Sequence, residues 1–343
     1  MELLYEKLPD AKIKCLACKH YCIIPENKTG ICHVRANIKG ELMLLTHRMV
    51  AAKHLDPIEK KPFYHVLPQT LSYSLGTFGC NFRCLFCQNW QLSQIIKEVA
   101  KYDAFKASKF IQTYSSPFSP EEVVEKALQL NAKSIAYTYN EPTIWVEGVK
   151  EIAVLAKKHG LKNLMVSSGY ESEETLNLLE EVDAYNIDLK SFSSEFYINI
   201  VGSKLENVLE TIESIHKRKK WIEITTLLIP GKNNDEKELE DMASFIAGID
   251  KNIPWHISRF HPDYKMTDVP PTPIKELEKA IRIGEEAGLN YVYIGNVPGH
   301  EKENTYCPCC NKIVIERSGY EVKNHLIKGK CPYCSCKLAG IWE

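Results

Sequence analysis

From Ser72 to Ile294, short apolar runs rich in β-branched and aromatic residues alternate with longer stretches whose apolar positions recur every third or fourth residue. The two periods predict seven strands, over residues 72–78, 134–139, 161–167, 184–189, 221–229, 254–260 and 291–294. Helices are predicted between them over 120–130, 145–159, 172–181, 204–218, 236–246 and 273–287. The first helix carries its own start signal, with Ser119 as cap, Pro120 in the first turn and Glu122 three residues past the cap. Gly160 stops the second. Ahead of this body, the stretch from Gly40 to Pro62 holds one or two short strands broken by Pro57 and Pro62. The polar block DPIEKKP at 56–62 reads as a solvated loop, with part of a site rim as its alternative.

Strand, helix, strand at this interval argues parallel pairing through right-handed crossovers, an α/β fold. A doubly wound sheet and a partial or incomplete (β/α) barrel share the pattern. Polar residues decide for the barrel: 80–87, 139–142, 167–170, 188–190 and 256–261 all fall at or just past strand C-termini. In barrels that rim carries the chemistry.

Composition adds boundaries. The 343 residues, 44% hydrophobic, suffice for a large core. A net charge of −1 gives no argument for a nucleic-acid partner, and no apolar run approaches a membrane span. The N-terminus lacks the basic start and apolar core of a secretory signal, so a cytoplasmic protein is expected.

Cysteine usage changes the picture. All 13 fall in three groups, four within 15–32, three within 80–87 and six within 307–336. Disulfide scaffolds belong to small secreted chains, so tight groups at the edges of a large cysteine-free body read as metal ligands. Cys15, Cys18, Cys22 and Cys32 suit a small closed zinc site or a second cubane cluster, with His20 and His33 as alternative ligands. Cys307, Cys310, Cys331 and Cys334 have zinc-ribbon spacing, and the extra Cys309 or Cys336 could replace one of them. The chain therefore divides into a cysteine-rich N-terminal subdomain over 1–65, the partial barrel over 66–300 and a ribbon-like module over 301–343. On the ribbon, Lys323, Lys328, Lys330 and Lys337 are the sole support for a nucleic-acid role.

Cys80, Cys84 and Cys87 make an incomplete set. Structural zinc wants four ligands, whereas a four-iron cubane held by three cysteines keeps one iron open for chemistry. Gly76, Gly79 and Asn81 around them describe a turn rather than core packing.

The spacing C-x3-C-x2-C, with Phe86 before the last cysteine, resembles that of the radical S-adenosylmethionine (radical SAM) superfamily. That resemblance implies a [4Fe–4S] cluster on Cys80, Cys84 and Cys87 whose open iron binds the amino and carboxylate groups of S-adenosylmethionine. It also implies reductive cleavage to a 5′-deoxyadenosyl radical that abstracts a hydrogen atom from the substrate. Family members carry Gly-Gly-Glu against the methionine amino group, and here Tyr139-Asn140-Glu141 stands in that place. Glu141, and with it Asn140, is thereby assigned to the cofactor, although a solvated glutamate at a strand end is the plainer alternative. Ser168, beside a glycine that lets a ligand approach the backbone, joins them. Asp188 and Lys190 resemble the D-x-K segment of glycyl-radical-enzyme activases, where such residues contact S-adenosylmethionine; a local ion pair is the alternative.

Nearly the whole chain resembles the AmmeMemoRadiSam-system radical SAM enzymes, relatives of pyruvate formate-lyase activating enzymes. The likeness runs through DPIEKKP, YNEP, NIDLK, Pro230-Gly231-x-Asn233, YKM, GNVPGH and the CPYC ribbon, with Asn311 and Ser335 where that ribbon has glycine. It implies Memo-like and Ammecr-like partner proteins, and the chemistry needs an electron donor such as a flavodoxin or ferredoxin. His256, Arg259, His261, Tyr264 and Lys265 form a dense polar strand end that reads as substrate-side. The expected substrate is a residue of a partner protein. An RNA or small molecule is the second choice, and an iron–sulfur and zinc scaffold or electron carrier without turnover the third.

Overall fold

Three of the expected strands, β1 (Leu71–Gly76), β2 (Ser134–Tyr137) and β3 (Lys162–Ser167), pair in parallel, with Ser134 opposite both Ser72 and Lys162. All of β2 is buried, as a parallel strand covered on both faces must be. Its crossovers are α1 (Pro120–Gln129) and α2 (Val146–Lys158), which turn Val123, Val124 and Ala127, and Val149, Ile152 and Ala156, away from solvent. Each large aliphatic side chain so buried contributes about 1.5–3 kcal/mol. The expected capping box on α1 is formed: Ser119 Oγ accepts from the Glu122 N–H at 3.1 Å, and Glu122 accepts from the Ser119 N–H at 2.8 Å.

The computed structural model describes residues 3–343, which form two units. The first takes the chain as far as Asp56 together with Ser72–Asp183 and Ile200–Ser203. Its N-terminal part is a three-stranded antiparallel sheet (Tyr5–Lys7, Ile13–Cys15, Ile23–Ile24) and a hairpin of Arg35–Ile38 with Glu41–Leu44. Lys39 and Gly40, both at positive φ, close the hairpin in two residues. Arg35 anchors it to α2: its guanidinium reaches both carboxylate oxygens of buried Glu147, at 2.8 and 2.7 Å. Strand Ala52–Pro57 flanks β1.

The second unit comprises Pro57–Leu71, Ala184–Asn199 and Lys204–Glu343. Four parallel strands form its sheet, β4 (Ala184–Asp188), β5 (Trp221–Leu228), β6 (Trp255–Arg259) and β7 (Val292–Gly295). The intervening helices are Leu205–Lys217, Glu236–Ile249 and Ile274–Glu286. The chain ends in a three-stranded antiparallel ribbon, Thr305–Tyr306, Ile313–Ser318 and Glu321–Asn324. Val314, Ile315, Val322 and Leu338 of this ribbon share one core with Tyr64, Tyr291 and Tyr293.

The block 56–62 is not a solvated loop. Asp56, Glu59 and Lys61 are 4–5% exposed. Glu59 sits in a 3-10 turn, Ile58–Lys60, and its carboxylate accepts the Gln69 N–H at 2.8 Å. Asp56 accepts from the Tyr139 hydroxyl. Polarity here marks buried hydrogen bonding, which composition cannot distinguish from solvation. Among the described residues no helix is long and apolar enough to cross a membrane.

Candidate active site

Cys80, Cys84 and Cys87 lie on the loop that leaves β1, with Cys84 buried and the other two half-buried. The side chain of Asn140, just past β2, fixes the start of this loop. Its Oδ1 accepts the Thr77 N–H at 3.0 Å, and its Nδ2 donates to Thr77 Oγ1 at 3.0 Å and the Gly79 carbonyl at 2.9 Å. The whole amide of Asn140 is thus spent on the cysteine loop. Phe86, beside the last cysteine, is buried.

Donors surround the sulfurs. The Phe82 N–H meets Cys80 Sγ at 3.3 Å, and Cys87 Sγ is 3.0 Å from Ser93 Oγ. Asn81 is fully buried, yet its Nδ2 has no hydrogen-bond partner. Burial pushes the Cys80 thiol well above its ordinary value. Lys97, on the short helix Ile95–Ala100, donates to the Phe82 carbonyl and lies in the field of Cys80, Cys84 and Cys87. Burial lowers its pKa while those thiols pull it back up. Sequence reasoning does not single out Lys97, which looks like one more lysine of an amphipathic segment.

Glu141 is 2% exposed and collects five donors from its own unit. Its Oε1 accepts from Thr143 N–H at 3.0 Å, Thr143 Oγ1 at 2.6 Å and Ser167 Oγ at 2.9 Å. Its Oε2 accepts from Ser168 N–H at 2.8 Å and Ser168 Oγ at 2.6 Å. Glu141 and Ser168, both expected at the site, are thus brought together at the ends of β2 and β3, and the Glu141 charge acts on Cys80. A second buried carboxylate, Glu171, stands beside Glu141; burial first, and the Glu141 charge second, raise it to about 7. Its place four residues past the end of β3 is the signal that could have found it.

In the second unit, Asp188 at the end of β4 pairs with Lys190 at 2.7 Å. The Tyr197 hydroxyl accepts the Lys190 N–H at 3.0 Å, and Asn233 of the Pro-Gly-x-Asn turn donates to the Lys190 carbonyl at 2.6 Å. The five substrate-side candidates are not gathered into one group. His256 is buried inside β6 with its Nε2 2.6 Å from Glu223 on β5. Glu223 also accepts the N–H groups of Tyr64 at 2.9 Å and His65 at 2.8 Å, a centre that strand alternation does not reveal. Arg259 donates to the Thr272 carbonyl at 2.8 Å, while His261, Tyr264 and Lys265 follow in the turn, Lys265 lying 4.9 Å over the Tyr264 ring. A cavity of about 260 Å³ opens here, lined by Glu59, Lys60, Tyr64, His256, Ser258 and Asn296 among others.

Cysteines converge near the C-terminal end of the chain. The Sγ atoms of Cys307, Cys310, Cys331 and Cys334 all lie within 4.8 Å of one another. Cys309 and Cys336, expected as spare ligands, form a disulfide. In the N-terminal group Cys15, Cys18 and Cys32 are buried and Cys22 half-buried. The two histidines there are used otherwise: His20 Nε2 is 3.0 Å from the Asn81 carbonyl, and His33 Nδ1 faces the Tyr102 N–H at 3.4 Å.

An uncharacterized protein of Methanocaldococcus jannaschii is 43% identical to this chain over 339 residues, 98% of this chain and 97% of that one. A putative glycyl-radical enzyme activating enzyme of the same organism is 26% identical, over 66% of this chain and 74% of that one. The pyruvate formate-lyase-activating enzyme of Staphylococcus aureus is 21% identical, over 56% and 75%. The family model for the Radical SAM superfamily matches residues 74–246, from β1 and the three-cysteine loop into the helix that follows β5. The chain belongs to the Radical SAM superfamily.

Proposed function

We propose that this protein is a radical enzyme that cleaves S-adenosylmethionine at a [4Fe–4S] cluster held by Cys80, Cys84 and Cys87, and that its substrate is a residue of a partner protein. The donor set around the three thiols carries the proposal. Three cysteines on one loop, a backbone N–H already on Cys80 Sγ and a buried Asn81 Nδ2 without a partner fit an anionic, sulfur-rich group. When bound, the cluster supplies the electron that breaks the C5′–S bond of S-adenosylmethionine, and the adenosyl radical takes a hydrogen atom from the substrate. Asn140 holds the loop in register with β2. Glu141 supplies negative charge for the methionine ammonium, with Ser167 and Ser168 fixing its carboxylate. Asp188 suits the ribose hydroxyls and Lys190 the methionine carboxylate.

The ribbon cysteines suit zinc. Two of their Sγ pairs are 3.6 and 3.7 Å apart, close to the edge of about 3.8 Å that tetrahedral zinc with Zn–S near 2.3 Å requires. The activating-enzyme relatives favour a protein substrate; Memo-like and Ammecr-like proteins are the first to test, with a flavodoxin or ferredoxin as electron donor.

The experiment is anaerobic: reduced protein is given S-adenosylmethionine alone and 5′-deoxyadenosine is followed. Slow product that Cys84→Ala abolishes, and that a partner accelerates tenfold or more, is the expected result. A reducible cluster that neither binds nor cleaves S-adenosylmethionine would overturn the proposal.

A further inference from the structure

The two terminal cysteine groups differ in spacing, and the difference follows from what each could hold. Tetrahedral zinc draws four thiolates to about 3.8 Å from one another. A four-iron cube carries its thiolates on the outer corners, which sets them roughly 6 Å apart. The ribbon cysteines obey the first rule, with all four Sγ atoms inside 4.8 Å. Among the described residues, no three of Cys15, Cys18, Cys22 and Cys32 bring their Sγ atoms that close, and neither do Cys80, Cys84 and Cys87. The N-terminal four nevertheless form one group: the Cys15 N–H donates to the Cys22 carbonyl at 2.9 Å, a turn closed by the Tyr21 N–H on the Cys18 carbonyl at 3.0 Å leads into Cys22, and a Cβ on Gly30, two residues before Cys32, would lie 3.5 Å from Cys22 Sγ. Among the described residues, neither His20 nor His33 joins two of these cysteines in a set that tight.

The group also lies against the radical loop. Cys32 presents its carbonyl to Gly79, and His20 Nε2 meets the Asn81 carbonyl at 3.0 Å.

We propose that Cys15, Cys18, Cys22 and Cys32 hold a second four-iron cluster, seated against the loop that carries the first. Four thiolates close its coordination, so it has no open iron for S-adenosylmethionine.

Iron and zinc are measured in the full-length chain purified anaerobically from iron-fed cells, without reconstitution. About eight irons and one zinc per chain are expected. The triple variant Cys80→Ala/Cys84→Ala/Cys87→Ala should keep about four irons and, after dithionite, an electron paramagnetic resonance signal that S-adenosylmethionine leaves unchanged. The variant Cys15→Ala/Cys18→Ala should also keep about four irons, with a signal that S-adenosylmethionine does shift. In the reduced wild type, magnetic interaction between neighbouring clusters should broaden both signals. Two zincs per chain, with no iron left in the triple variant, would overturn the proposal. Should the N-terminal variant fail to fold, the triple variant decides alone. A wild-type signal indifferent to S-adenosylmethionine would instead count against the radical function, leaving the second cluster to be judged by the triple variant's iron.

Discussion

The carbonyl oxygen of Cys32 occupies the space where a side chain on Gly79 would begin: a Cβ there would lie 2.5 Å from it. Gly79 also has φ +90°, a conformation that favours glycine. The N-terminal cysteine group and the three-cysteine loop therefore share one contact that only glycine permits. Gly79→Ala should lose roughly 3 kcal/mol, from backbone strain and overpacking together. Iron content should fall with it, since the displaced residue precedes Cys80. Urea unfolding and metal analysis test this; wild-type stability with full iron would show that the contact yields easily.

Glu141 holds Thr143, Ser167 and Ser168 through five donated hydrogen bonds in a buried place. Glu141→Ala leaves those donors without an acceptor and should cost about 3 kcal/mol or more, since each buried unsatisfied group costs about 1–3 kcal/mol. Glu141→Gln keeps the shape and part of the bonding, so it should fold and keep its iron while binding S-adenosylmethionine more weakly by tenfold or more. Isothermal titration of the anaerobic protein separates the two roles. Equal affinity in Glu141→Gln would confine Glu141 to structure.

Much of this is legible in the chain. Apolar periods locate the strands and helices because parallel strands buried on both faces and helices buried on one leave an unambiguous pattern. The cysteine loop and the carboxylate after β2 stand out because glycine, cysteine and strand-end polarity seldom coincide for the sake of packing alone. Asn140 reads in sequence as a ligand for the cofactor, whereas its amide holds Thr77 and Gly79. That choice depends on which way a loop closes, a tertiary fact. Glu223 and Lys97 are invisible for a related reason: a buried charge on a strand or short helix looks in sequence like an exposed one until its partners arrive. The block 56–62 misleads by the same rule, since Glu59 is covered only once residues ten further on return to it.

His65 gives the second unit an acid-labile point. Its Nδ1 is 2.8 Å from the Ala339 carbonyl, which can only accept, so Nδ1 carries the proton and Nε2 accepts from the Tyr293 hydroxyl at 2.6 Å. Burial lowers its pKa to about 4. The unfolded chain, near 6.5, binds the proton first, so this group's stabilisation is complete above pH 6.5 and is lost as pH falls from there towards 4. Between pH 7 and pH 5 its share of the loss should be about 2 kcal/mol. His65→Asn should be less stable at pH 7 but show a shallower decline to pH 5 in urea unfolding. Parallel declines would assign the acid sensitivity to other groups, His20 and His33 among them.

The ribbon tests whether a metal staple is appended to the fold or is part of it. Cys331 is 2% exposed and belongs to the same core as Tyr64, Tyr291 and Tyr293, and Arg317 of the ribbon donates to the Tyr64 carbonyl at 2.8 Å while lying 4.1 Å over its ring. Cys331→Ser removes one of four converging thiols, and the remaining three cannot close a structural zinc site. Zinc should fall from about one per chain to near none, with iron unchanged. Limited proteolysis should then cut within 307–336, where the wild type resists, because a metal-dependent fold loses its order with its metal. The aromatic core argues for a further effect, a thermal midpoint lowered by several degrees, since β7 supplies Tyr293 and loses its cover when the ribbon loosens. Loss of iron together with zinc would mean that this core supports the whole chain, and the ribbon would then have to be counted as part of the enzyme's body.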